Sequence, residues 1–403
     1  MLRQTPTIKE AAVPFEEQTT ETIARVRGAF TEIVRALPQR ITRACELHQA
    51  LQIDKGLGWR IFNVIRCSDP FAAARYVPGT SGAKIFLRAA QKQGVPAALT
   101  DTATAALSDY QKLQRVHAGN RKRLDMLLAA QSHEGRAEID VVHRRLAFEA
   151  NSYIWGASAE TQFRTSFTGF SERSGQLDIT RLGGLIGLQR LRPDVRWPLG
   201  KATCTTDAGG EIPAYTIEPI YNVENPDEAT AELFMSSPRP RIECNRSDRT
   251  LQWELLPGPV GRTGAVSCVT GEVMRRCGPI RQSGGETGIT YVVRIHTPSE
   301  LLIADHFIDH ELFGPLEHTV AVYGGLVDGP RKKSDHVPVR EAVRHLGRAS
   351  GLLHTPEIPR YAEMTAHVFD RLGWDPGRFD VYRLRLEYPI MLSEVRLTHP
   401  LRD

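Results

Sequence analysis

Six cysteines are spread over 403 residues, and no two of them form a CxxC pair. Cys45, Cys67, Cys204, Cys244, Cys268 and Cys277 are too sparse and irregular for a zinc ribbon or a disulfide framework. Reduced thiols in a cytoplasmic protein are therefore expected. No uncharged apolar run reaches the roughly 18 residues of a spanning helix, so no membrane is expected as a partner. The opening Met1-Leu2-Arg3-Gln4-Thr5 leads to Glu16 and Glu17 with no apolar core, which argues against a secretory signal. The glycine groups Gly183-Gly184-x2-Gly187 and Gly284-Gly285-x2-Gly288 have neither the GKS/T ending of a P-loop nor the GxGxxG of a dinucleotide fold. Both are expected to be turns. Arg275 and Arg276 lie between Cys268 and Cys277 and could lower a thiol pKa, but no adjoining histidine supplies a base, so idle cysteines are expected. Trp155, Trp197, Trp253 and Trp374 are scattered, which suits cores rather than a base-stacking platform. With these patterns missing, no catalytic residue and no cofactor are assigned.

A chain of this length exceeds the roughly 250–300 residues of a single core, so two or more domains are expected. Its charge is divided unevenly. Residues 1–150 hold 22 Lys and Arg against 15 Asp and Glu, while the remainder holds 29 against 32. Most of the excess falls in residues 35–92, with ten basic side chains and three acidic ones. Such a concentration can attract a polyanion, although a solvated helical surface accounts for it too.

Hydrophobic periodicity divides the chain in the same way. Residues 1–20 are expected to be a flexible arm. Residues 21–165 are expected to be helical, with segments at 20–37, 41–51, 55–66, 83–93, 97–116, 119–131 and 137–165. Beyond Gly169, proline and glycine become frequent and apolar residues alternate. Strands are expected at 214–221, 250–256, 264–269, 289–295, 301–307, 319–323, 381–387 and 394–399, with helices near 338–347 and 359–373. The expected fold class is multidomain: an all-α N-terminal region containing a helix-turn-helix-like segment, then a mixed α+β region at 170–403, one domain or two.

Within the basic region, Leu47 and Leu51 share a helical face and Ile53 lies in a short connection. Asp54 is placed to cap a following helix. Leu57, Ile61, Val64 and Ile65 give that helix a buried face, and Lys55, Arg60, Asn63 and Arg66 lie opposite. Arg and Lys can neutralise phosphates, Arg can pair with a guanine edge, and Asn can pair with adenine. Residues 41–66 thus resemble the helix-turn-helix of bacterial transcriptional regulators. The resemblance implies a recognition helix in the major groove of double-stranded DNA and a homodimeric partner. Gly56, Gly58 and Trp59 depart from that pattern, and no two-stranded wing is evident after Cys67. A plain helical hairpin would account for the same residues.

The densest ionisable cluster is Asp305, His306, Asp309, His310, Glu311 and His318. His306, His310 and His318 are the candidate metal ligands. On a strand, however, His306 and His310 would lie about 13 Å apart, too far for one ion unless the chain bends, so no metal is assigned. The function expected from these features is a DNA-binding transcriptional regulator, with a C-terminal region that senses an unidentified ligand or mediates assembly. A non-enzymatic interaction module and a metal-dependent enzyme are the alternatives.

Overall fold

The computed structural model describes residues 13–131, 133–171, 176–203, 217–220, 231–247, 250–275, 277, 288–325, 333–351, 353 and 355–400. The chain divides into two compact units, Met1–Asp140 and Val141–Asp403.

The first unit is helical. It comprises α1 (Phe15–Arg35), α2 (Ala44–Leu51), α3 (Lys55–Arg66), α4 (Pro70–Tyr76), α5 (Thr80–Lys92), α6 (Ala97–Leu113) and α7 (Arg121–Gln131). A further helix, α8 (His133–Trp155), runs across the division between the units. Helix α1 shows why the sequence folds this way. Glu16 and Glu17 lie in its first turn and Arg35 in its last, matching the helix dipole. Ile23, Val26, Phe30 and Ile33 recur on one face and are fully buried. Phe30 meets Phe86 of α5 edge to face, with ring centroids 5.0 Å apart. Among the described residues of this unit, the only buried polar side chains are Thr19, Thr22 and Thr100.

The second unit is built on a seven-stranded sheet in the order β12-β13-β9-β1-β2-β7-β4. Its strands are β1 (Ala157–Ser171), β2 (Gln176–Arg190), β4 (Ile217–Pro219), β7 (Val266–Met274), β9 (Ser299–Asp309), β12 (Arg344–Arg348) and β13 (Phe379–Glu387). A three-stranded sheet consists of β3 (Trp197–Thr203), β6 (Thr250–Leu255) and β5 (Ile242–Ser247). A four-stranded sheet consists of β11 (His336–Val337), β10 (Thr319–Tyr323), β14 (Glu394–Pro400) and β8 (Gly288–Arg294). Among the described residues this unit also holds α9 (His310–Phe313), α10 (Tyr361–Leu372) and the C-terminal part of α8.

Strand alternation sorts residues of the large sheet between two cores. Phe163, Phe167, Ile303, Phe307, Phe379 and Val381 pack with Met364, Val368 and Phe369 of α10. Leu302, Ala304, Leu384 and Leu386 point the other way and pack with Tyr291, Val293, Val395 and Leu397 of the four-stranded sheet. Strand β9 is central and buried on both faces, which explains its long apolar run.

Several expectations are corrected. Residues 15–20 belong to α1 rather than to an arm, and residues 1–12 lie outside the described residues. The helix expected at 137–165 ends at Trp155. Gly156 turns with φ +78°, and β1 begins at Ala157, so the helical region does not reach 165. The segment 338–347 is not a helix. It leads into edge strand β12, and its apolar Val339 and Val343 pack against the margin of the two-sheet core from extended chain. Gly183 and Gly184 are not a turn but lie inside β2, where a Cβ would collide with Arg164 and Phe163 respectively. Gly187, with φ +63°, lies at the irregularity in the β2–β7 pairing. Gly284 and Gly285 lie outside the described residues, and Gly288 opens β8. Trp155 is 45% exposed, whereas Trp197 and Trp253 are buried. Among the described residues, no helix is long and apolar enough to cross a membrane.

Candidate nucleic-acid interface and a buried histidine cluster

Helices α2 and α3 are joined by Gln52, Ile53 and Asp54. Gln52 adopts the left-handed conformation at φ 51°, which ends α2, and the Asp54 carboxylate starts α3 by accepting N–H bonds from Gly56 at 2.8 Å and Leu57 at 3.2 Å. Gly58 has a structural reason. A Cβ there would lie 2.7 Å from the His48 Cβ, so glycine lets the two helices cross closely. Ile61 and Val64 are buried beneath α3.

Lys55, Arg60 and Arg66 are exposed. At about 100° per residue, Lys55 and Arg66 fall within about 20° of each other, and Arg60 lies about 140° from Lys55, on the opposite flank. Asn63 and Trp59 occupy the middle of this arc. Asn63 is half-buried and donates its Nδ2 to the Trp59 carbonyl at 2.8 Å. The Trp59 ring rests edge-on against Tyr76 of α4, at 5.2 Å between centroids, and remains 49% exposed. Beside Arg60, a concavity of ≈ 500 Å³ is lined by Arg75, Thr80, Gln111 and Arg121. Helix α5 begins there after Gly79, with no side chain capping it. Arg121 is already engaged, binding Asp125 and the carbonyls of Val77 and Arg75.

The three acidic residues of the basic stretch are all used in starting helices. Glu46 accepts from the backbone N–H groups of Thr42 at 2.7 Å and Arg43 at 3.1 Å, which lowers its pKa. Asp54 caps α3, and Asp69 caps α4 through Phe71 and Ala72. Backbone N–H groups are their main partners, with a smaller attraction from Arg43 at Glu46. Among the described residues, Lys55, Arg60 and Arg66 have no carboxylate within ion-pair distance.

In the second unit the ionisable cluster around β9 is split by the pleat. Asp305 faces α10 and is fully buried. It accepts Nε and Nη2 of Arg383 at 2.8 and 2.7 Å and the Tyr361 hydroxyl at 2.6 Å. Burial, with Asp305 alongside, pushes the Tyr361 hydroxyl well above its ordinary pKa. Asp309 pairs with Arg378 at 2.9 Å, and His310 Nδ1 lies 2.6 Å from Asp380. His310 is thus separated from the other two candidate ligands, because β9 ends at Asp309 and α9 carries it to a different partner.

His306 faces the four-stranded sheet instead. It meets His318, the residue before β10, and His399 of β14. One ring nitrogen from each of the three lies within 4.8 Å of the others. His306 and His399 are each 1% exposed, and His318 is half-buried. Burial holds the His306 pKa well below its usual range and brings His318 down to about 3. It lowers His399 as well. The sequence reading found His306 and His318 but missed His399, which is 81 residues from His318 and adjoins it only because Thr319 of β10 pairs with Thr398 of β14. Cys268 is buried, and burial pushes its thiol up to about 12, which favours the protonated form. Cys277 donates to the Met274 carbonyl at 3.3 Å.

No protein-family model matches this chain, and no curated protein matches it significantly.

Proposed function

We propose that this protein is a duplex-DNA-binding regulator whose helical unit contacts DNA through α3. The β-rich unit senses a ligand or mediates assembly. The observation that carries this reading is the basic excess of residues 35–92, ten basic side chains against three acidic ones that each help to start a helix, with Lys55, Arg60 and Arg66 outside any ion pair among the described residues. Cations with no internal partner are available for phosphates, and each phosphate neutralised releases counterions. The exposed arc of α3, with Lys55 and Arg66 on one flank and Arg60 on the other, suits a helix lying between two phosphate rows. Asn63 would have to release the Trp59 carbonyl to reach a base edge, so it contributes less than the cations. Trp59, absent from the expected contact set, stands between the Lys55/Arg66 flank and Asn63 and can present apolar surface to a thymine methyl.

Fluorescence anisotropy on a mixed duplex, across a salt titration, tests this. The full chain is expected to bind at low salt and to weaken as salt rises, with a slope of about −0.9 per phosphate contacted. R60A/R66A is expected to reduce both affinity and slope. Absence of binding by the wild type at low salt would refute it.

One observation favours a second reading, an interaction module. Val142, Leu146 and Tyr153 recur on α8 at helical spacing and are 56%, 50% and 80% exposed. Such a face suits docking to another protein surface, including a second copy of the chain.

A further inference from the structure

The three histidines between the two sheets differ from a chance aromatic cluster in how their nitrogens are directed. His399 Nδ1 lies 3.0 Å from the Pro400 carbonyl oxygen. A carbonyl only accepts, so Nδ1 carries the proton and Nε2 is left with a bare lone pair. His306 Nε2 lies 3.0 Å from the hydroxyl of Thr168, itself 1% exposed, and this contact occupies that nitrogen and leaves Nδ1. His306 Nδ1, His399 Nε2 and both nitrogens of His318 are buried without a hydrogen-bond partner among the described residues. Buried polar atoms without partners are uncommon in folded proteins, and here four of them belong to three rings that bring one nitrogen each within 4.8 Å of the others.

We propose that His306, His318 and His399 bind one divalent transition-metal ion of the zinc type. Three neutral imidazoles with no thiolate favour zinc and its neighbours over magnesium or calcium, which take oxygen ligands. Zinc at 2.0–2.1 Å from each nitrogen would bring them to about 3.4 Å of one another, so the present spacing closes by modest ring movements. The Thr168 hydroxyl and the Pro400 carbonyl are outer partners of the kind that orient metal-binding histidines. His318, half-buried, is the most accessible of the three residues. His306 belongs to the seven-stranded sheet and His399 to the four-stranded one, and His318 directly precedes that sheet's strand β10. A bound ion would therefore add a link between two sheets that otherwise meet through an apolar core and the hydrogen bond from Gln162 Nε2 to the Arg294 carbonyl. This site goes beyond DNA binding and does not depend on it.

The test is a cobalt titration of chelator-treated full-length protein, followed by its visible d–d bands and by thermal melting. Wild type is expected to take up one equivalent, with the absorption of a low-coordinate nitrogen site and a raised melting temperature. H318A and H399A are expected to lose that spectrum. T168V, which keeps all three ligands, is expected to bind roughly 10–100-fold more weakly. H310A, whose ring belongs to Asp380, is expected to bind as wild type does. Circular dichroism of each variant separates loss of the site from loss of the fold. If one variant fails to fold, the half-buried H318A position and the wild-type stoichiometry still decide the matter. No stoichiometric uptake by folded wild type, or an unchanged spectrum in folded H318A, overturns the proposal.

Discussion

The two units handle polarity in opposite ways. The described buried polar residues of the helical unit are three threonines, and its arginines and lysines lie on the surface. The β-rich unit buries Asp178, Arg190, Glu272, Asp305, His306, Asp309, Asp380, Arg383 and His399. A polar side chain taken from water must find partners or cost stability, so the second unit depends on specific geometry in a way the first does not. The contrast also separates the places where chemistry can occur. In the helical unit the charged side chains lie outside, and in the β-rich unit a charged pair and three histidines lie between layers.

The largest effect is expected where that interior geometry is broken. Asp305→Ala leaves Arg383 buried without its carboxylate, and loss of one partner of a buried pair costs about 3–5 kcal/mol. Denaturant unfolding followed by a probe in the β-rich unit measures it. A loss below about 1 kcal/mol would show that Arg383 finds water or another acceptor, and would weaken the contrast.

Acid should act on the same unit. His306, His318 and His399 have folded pKa values below their ordinary 6.5, His318 at about 3. In metal-free protein the unfolded chain therefore binds more protons than the folded one below pH 6.5. Stability is complete above that pH and falls progressively as the pH drops toward 3. Melting temperatures across pH 8 to 4 check this, with His318→Gln expected to flatten the acid limb. An acid limb unchanged in that variant would assign the sensitivity to other groups.

The helical unit should be sensitive to packing instead. Gly58→Ala places a Cβ against the His48 Cβ and is expected to cost about 1–3 kcal/mol through overpacking. The resulting shift of α3 should also weaken DNA binding. Asp54→Ala removes two cap hydrogen bonds from α3 and is expected to cost about 1 kcal/mol. Thermal melting reads both, and an Asp54→Asn variant should recover most of the second loss.

What was legible in the sequence follows the same contrast. Every long helix of the first unit announced itself, because its apolar residues recur at helical spacing over an interior almost free of polar groups. The cap at Asp54 and the extent of α3 were readable for that reason. Strand β1 was not. Its Gln162, Thr165, Ser166 and Thr168 are buried, so their polarity concealed a two-sided interior strand and extended the preceding helix on paper past Gly156. In β2, glycines that look like a turn are there to receive the side chains of Arg164 and Phe163. For the histidine cluster, residue types and local density drew attention to the end of β9. Strand pairing then decided membership, keeping His306 and His318, excluding His310 and recruiting His399. Pairing between strands distant in sequence leaves no local periodicity to read.

The smallest effect on stability should accompany the largest effect on function. Lys55, Arg60 and Arg66 are exposed and make no internal ion pair among the described residues, so R60A/R66A should leave unfolding unchanged to within about 0.5 kcal/mol. The most direct measurement is therefore the duplex-DNA affinity of R60A/R66A against wild type in one low-salt buffer, with the melting temperature recorded on the same samples. An unchanged melting temperature, with affinity lost and the salt slope reduced by about one per phosphate contact removed, is the predicted result. Equal affinity of wild type and variant would contradict it, and would leave the basic arc of α3 as a solvated surface.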